Sequence, residues 1–208
     1  YTDALAVNVT DAINFGKLTL TPGLRTEYIM AGYCDGECGK AGVVERDHDY
    51  AVVVGGASFK YDVYDADGKD FDWFGGIHRG FSPPDPRGGI TSLLRQEESL
   101  AFELGTRYSN AKKAFSSELT GFFTKLDNVI VPDSVGGSGA GTTQNAGEIH
   151  TMGIEAQINY DRGLHKDWAY QTPAYVAVTY TNAEFQDDIG STDLESIFAG
   201  AEEGNRVP

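Results

Sequence analysis

The chain has 208 residues, 40% apolar and 12% aromatic, a composition that excludes a disordered polymer. No segment approaches the roughly 20 consecutive apolar residues of a transmembrane helix, so a helical membrane protein is excluded. A β-barrel is not excluded, because its strands turn only alternate residues to lipid. The net charge of −15, from 31 acidic against 16 basic residues, excludes nucleic acid as a partner, since phosphate binding needs clustered Lys and Arg.

In chain order the dominant signal is period-two alternation bounded by turn residues. It predicts eight strands, near 3–13, 17–29, 49–62, 71–79, 99–108, 114–127, 148–160 and 173–185. In the second, Leu18, Leu20, Pro22 and Leu24 fall on one face and Thr19, Thr21, Gly23, Arg25 and Glu27 on the other. The fifth opposes Leu100, Phe102, Leu104 and Tyr108 to Ala101, Glu103, Gly105 and Arg107. In the sixth, Phe115, Leu119 and Phe123 alternate with Ser116, Glu118, Thr120 and Thr124, with Phe122 out of phase. The seventh opposes Met152, Ile154, Ala156, Ile158 and Tyr160 to Thr151, Gly153, Glu155, Gln157 and Asn159.

The connections carry a second pattern. Short polar turns at 14–17, 65–70 and 109–113, and a longer one at 161–172, take strict turns with long irregular segments at 30–48, 80–98, 128–147 and from 186 onward. A sandwich distributes loop lengths without regard to end, whereas an up-and-down transmembrane barrel keeps all turns short on one side and all loops long on the other. Strands of this length suit a tilted membrane crossing. Tyr28, Tyr61, Trp73, Tyr108, Tyr160 and Tyr180 lie near predicted strand ends, where an aromatic girdle would sit. The fold class is therefore all-β: an antiparallel, up-and-down transmembrane β-barrel segment.

Cys34 and Cys38 stand in the Gly-rich, acidic stretch "YCDGECGKAG". They could form a disulfide, remain free thiols or supply half of a metal site, and no His or second Cys pair nearby completes a coordination set. Asp65, Asp67 and Asp70 in "DADGKD" resemble the start of a calcium loop but lack its downstream Glu, and Asp-Gly favours a hairpin turn. The four histidines form no metal or catalytic motif, and no Ser stands in a nucleophile elbow. Glu97 and Glu98, adjacent on a strand, point to opposite faces and cannot share acid–base work. No enzymatic constellation, metal site or cofactor site is expected.

Six phrases resemble, in order and spacing, the TonB-dependent outer-membrane transporters of the ferric-dicitrate and siderophore class: "LTLTPGLRTEY", "GGIHRGFSPP", "EESLAFELGTRY", "FFTKLDNVIV", "NAGEIHTMGIEAQINYD" and the terminal "GNRVP". The resemblance implies a barrel of about 22 strands with a plug in its lumen, of which residues 1–208 form a part, the plug and the remaining strands lying elsewhere. It implies contact with the bilayer and lipopolysaccharide, and a TonB-type energy-transducing partner engaged through the missing N-terminal region. The implied cargo is a small-molecule ligand, a ferric chelate. For such an anion, Arg79, Arg87 and Arg95 are the expected contacts, since guanidinium binds carboxylates bidentately, with His78 and Phe81 lining the pocket. A complete eight-stranded barrel and a secreted all-β binding module of lectin or adhesin type remain as alternatives.

Overall fold

The computed structural model describes residues 2–34, 36, 38–40, 43, 45–84, 95–132, 143–145, 147–188 and 202–207. Strands β1 (Thr2–Thr10) and β2 (Ile13–Phe15) both pair with β3 (Leu18–Cys34). The register runs without a shift from Thr10 opposite Gly23 to Ile13 opposite Leu20, so β1 and β2 are one strand interrupted opposite Pro22. The Asp11 N–H donates to the Pro22 carbonyl at 3.2 Å. Proline has no N–H to return, and the ladder lapses there. The first expected strand is present, in two pieces.

The meander continues through β4 (Glu45–Ala66), β5 (Lys69–Ser82), β6 (Glu97–Ser109), β7 (Phe115–Asp127), β10 (Glu148–Asp161) and β11 (Pro173–Phe185), each antiparallel to its neighbour. Between β7 and β10 a small hairpin, β8 (Ile130–Pro132) with β9 (Thr143–Asn145), forms its own two-stranded sheet. This hairpin was not expected; its strands are too short to show a period. A single helical turn, α1 (Arg162–His165), lies in the β10–β11 connection. Residues 205–207 return to β11, where Arg206 forms an antiparallel bridge with Glu184 and the Val207 N–H donates to the Ala183 carbonyl at 2.9 Å. No helix among the described residues is long and apolar enough to cross a membrane.

Short and long connections take opposite ends of the sheet, as expected. At the short-turn end Asp67 and Gly68 both have positive φ, 55° and 70°, as the hairpin turn that matches strand twist requires. A side chain at Gly68 would also press on Ala111 of the next turn. Neighbouring turns are joined: the Lys113 ammonium contacts Asp70, whose other bond is accepted from the Ser109 hydroxyl at 2.9 Å, and Lys112 contacts Asp167. Asp161 closes the β10–β11 turn by accepting from the Leu164 and Thr172 N–H groups at 2.9 and 3.1 Å. Those backbone donors hold its carboxyl below the usual carboxylate range.

Strand registers align the apolar rows across the sheet. Val9, Leu24, Phe59, Ile77, Leu104, Ile154 and Val178 share one face, on which Leu24, Leu104, Ile154 and Val178 are all more than half exposed. So continuous an apolar band needs an apolar surround. A depression of about 1070 Å³ crosses this face beside Leu104, Phe123, Met152 and Ile154. Near the short turns the band ends in Tyr61, Trp73, Tyr108 and Tyr160, the expected aromatic girdle on that side, whereas Tyr180, also expected at a strand end, lies in mid-band opposite Ile154. Phe122 lies on the opposite, polar face, with its ring over Gly153 and 2.6 Å from where a Cβ would stand. A glycine in the neighbouring strand thus makes room for the residue that broke the alternation.

Candidate functional site

The polar face is a wall of charged and amide groups that largely satisfy one another. Arg107 faces Glu118 directly across β6 and β7, with Nε 2.7 Å from Oε2, and its guanidinium lies 5.0 Å from the centre of the Phe74 ring. Arg25 pairs with Glu27 at 2.8 Å on one strand, and Lys60 reaches Asp62 at 2.7 Å and Asp72 at 3.6 Å. Glu103 and Glu155 stand on the same wall with no ion-pair partner among the described residues.

His78 belongs to this wall. It faces Gly56 across the strand pair, and its ring fills the space that Gly56 and Gly76 leave open. Beside it is a groove of about 320 Å³ lined by Asn8, Thr10, Thr21, Arg25 and Ser58. Arg79 and Phe81 lie on the other face, in the rows of Leu100 and Glu98, because successive strand residues point to opposite sides. The Arg79 guanidinium is engaged by Glu98, which also accepts from Gln96 Nε2 at 3.2 Å. Arg95 borders a notch of about 570 Å³ at the outer end of β5 and β6, which finish level with each other at Ser82 and Glu97, with Tyr50, Gln96, Glu98, Asp127 and Asn128 around it. Arg87 lies outside the described residues. The structure therefore places His78 on the opposite face from Arg79 and Phe81, although Arg79 also borders the groove beside His78, and places Arg95 at the long-loop rim. Cys34 and Cys38 are disulfide-bonded. Among the described residues no group of three or more His, Cys, Asp or Glu side chains is arranged to hold a metal.

At the long-loop end the two faces exchange character. On the face that carries the apolar band, Phe102, Phe123 and Met152 give way within one or two rows to Arg79, Glu98, Lys125, Asp127, Glu148 and His150. Lys125 bonds Glu148 at 2.6 Å and Asp127 at 3.1 Å, and His150 Nε2 stands 2.5 Å from Glu148 Oε1 with its ring edge-on to Phe123. Arg79 holds the Glu98 carboxyl below the usual range, and Lys125 does the same for Glu148 while its own ammonium is raised. On the opposite face the polar wall becomes apolar: Ile29, Ala31 and Val52 are buried, and Ile149 and Phe185 form a small core with Leu126, Val129 and Val207. Sequence reasoning passed over Lys125 and Glu148 and weighed Glu98 only as half of a carboxylate pair. The phase change in "FFTKLDN" and "GEIHTMG", where charge enters the apolar register, was the signal that could have found them.

A family model described as "TonB dependent receptor-like, beta-barrel" matches residues 1–208. Comparison with curated proteins gave no match. Among solved structures, the ferric citrate transporter FecA in unliganded form is 22% identical over all of this chain and 28% of its own, with a TM-score of 0.70. The siderophore receptor PiuA of Acinetobacter baumannii is 19% identical, over 100% and 29%, at 0.70. The ferric yersiniabactin uptake receptor FyuA of Yersinia pestis is 20% identical, over 100% and 29%, at 0.68. The chain spans less than a third of the length of each of these structures. The apolar band is thus the lipid side, the polar wall the lumen side and the long-loop end the outer rim. The chain belongs to the family of TonB-dependent receptors and is a stretch of their β-barrel in the outer membrane of a Gram-negative bacterium.

Proposed function

We propose that the chain forms part of the wall and outer rim of a receptor that imports a scarce ferric chelate, a siderophore or ferric citrate, with energy delivered by a TonB-type partner. The observation that carries this reading is the polar wall running up to the long-loop end of a sheet that superimposes on three receptors whose names specify ferric citrate, a siderophore and ferric yersiniabactin. The wall needs no resident cofactor for this role. Glu103 and Glu155, without an ion-pair partner among the described residues, supply charge that a plug surface can meet. Lipid and lipopolysaccharide take the other face.

Of the residues proposed for ligand contact, His78 and Arg95 have the favourable placement: one lies on the lumen wall beside a groove, the other at the notch in the rim. Arg87 shares the connection that contains Arg95 and offers a second guanidinium to a carboxylate-rich chelate. Arg79 and Phe81 sit on the lipid side, and Arg79 would have to leave Glu98 to reach a ligand.

The test is growth of a strain deleted for the gene, under iron limitation, on single iron sources including ferric citrate and several siderophores. Loss of growth on one source, restored by the intact gene, supports the reading. Growth on every iron source would remove iron as cargo while leaving the family unchanged.

A further inference from the structure

Three side-chain-to-backbone bonds join the Arg95–Glu97 stretch to the connection that follows β7, and a fourth braces that connection internally. The Asn145 carboxamide treats Arg95 as a strand neighbour would: its Oδ1 accepts from the Arg95 N–H at 2.7 Å and its Nδ2 donates to the Arg95 carbonyl at 2.8 Å. The same Nδ2 donates to the Asn128 carbonyl at 2.7 Å. Two residues along from Arg95, Glu97 Oε1 accepts from the Ile130 N–H at 2.7 Å. Ile130 and Asn145 are themselves opposite each other in the β8–β9 hairpin. The four residues close a ring: Arg95 to Asn145, Asn145 to Ile130, Ile130 to Glu97, and Glu97 back along the chain to Arg95.

We propose that Asn145 is a positioning residue that locks Arg95, just before β6, to the β8–β9 hairpin that follows β7, so that these two parts of the outer rim hold and release their backbone bonds as one unit. The ring geometry supports coupling rather than two separate anchors. Breaking either side bond frees the hairpin to rotate about the other, and both bonds hold the same pair of cross-strand residues. Aspartate in place of Asn145 keeps size and acceptor but loses both donors and sets a carboxylate oxygen against the Arg95 and Asn128 carbonyls, so hydrogen bonding separates from packing.

The test is amide hydrogen exchange of the receptor carrying this chain, assembled in lipid nanodiscs, for Asn145→Ala, Asn145→Asp, Glu97→Ala and the double variant Asn145→Ala/Glu97→Ala. Expected is exchange faster by roughly tenfold, the factor that one net hydrogen bond supplies, at the Arg95 amide and also at the Ile130 amide, whose bond is to Glu97 and not to the Asn145 side chain. Glu97→Ala should free the Arg95 amide by a similar factor, since coupling is reciprocal, and the double variant should exceed neither single variant by much. The proposal is overturned if Asn145→Ala and Asn145→Asp leave Ile130 protected, or if the effects of the two sites simply add. Mid-strand amides of β7 and β10 report whether the barrel is folded. If Asn145→Ala fails to assemble, the isosteric Asn145→Asp and the Glu97→Ala reciprocal effect decide alone.

Discussion

The short-turn end and the long-loop end of this sheet solve the same problem, how to finish a strand outside lipid, in opposite ways. At the inner end the turns are minimal and charge works between them, Lys113 to Asp70 and Lys112 to Asp167, while aromatic rings keep the lipid face apolar down to the turns. At the outer end the lipid face itself becomes charged and the lumen face becomes a small apolar core. Hairpin chemistry suffices where a connection needs only to reverse. Long connections need a hydrophobic seat, and the strand tops provide it by inverting their alternation.

The sharpest way to break this comparison is to place the same charge below and above the inversion. Leu104→Arg, at mid-band, should destabilise the inserted barrel by about 2–4 kcal/mol, and Leu100→Arg, in the row of Arg79 and Lys125, by about 0–1 kcal/mol. Urea titration of receptor folded into lipid vesicles measures both; equal costs would mean that the boundary is misplaced. A smaller effect is expected from Cys34→Ser with Cys38→Ser. The bond closes a five-residue ring at the tip of the β3–β4 hairpin, for which loop closure contributes on the order of 2 kcal/mol. Hydrogen exchange should rise at 31–34 and remain unchanged at the inner turns.

At the inner end, Asp161 gives a pH test. Its folded carboxyl titrates below its unfolded value, so its contribution is fully present above the ordinary aspartate range and is lost as pH falls through the depressed folded value. Protection of the Leu164 and Thr172 amides should decline over that acid window and not in Asp161→Asn, whose side-chain oxygen still accepts. The smallest effect belongs to Glu148→Gln at the outer rim. A half-exposed pair with Lys125 should shift the unfolding midpoint slightly at low salt and not at high salt; a shift that survives high salt would show the pair to be structural.

Much of this was legible in the residues because a half-buried strand writes its two environments into alternate positions. The long strands followed from that period, and the two ends followed from loop length. The β1–β2 interruption needed the knowledge that the Pro22 N–H would have faced Asp11 and not β4. The β8–β9 hairpin was invisible because three residues per strand, separated by a Gly- and Ser-rich run, leave no period to read. For the site, His78 and Arg79 looked like one cluster in the linear text and lie on opposite sides of the wall, by the same rule that separated Glu97 from Glu98. Asn145 opened a phrase noted for resemblance alone; its amide clip on Arg95 joins residues 50 apart, which no local pattern encodes.

The inversion of polarity also acts as a draught mark. On β10 the lipid face stays apolar from Met152 to Tyr160 and meets His150 just above. At about 3.4 Å per residue and a tilt near 40°, that stretch stands about 21 Å tall, close to the ≈ 25 Å apolar height of an outer-membrane barrel. Sinking by one row would drag Lys125, Glu148 and His150 into hydrocarbon, and rising by one would lift the Trp73 and Tyr160 girdle out of its interface. The strands therefore fix how high the rim rides above the bilayer, and with it the distance a ligand must travel from open water to the lumen.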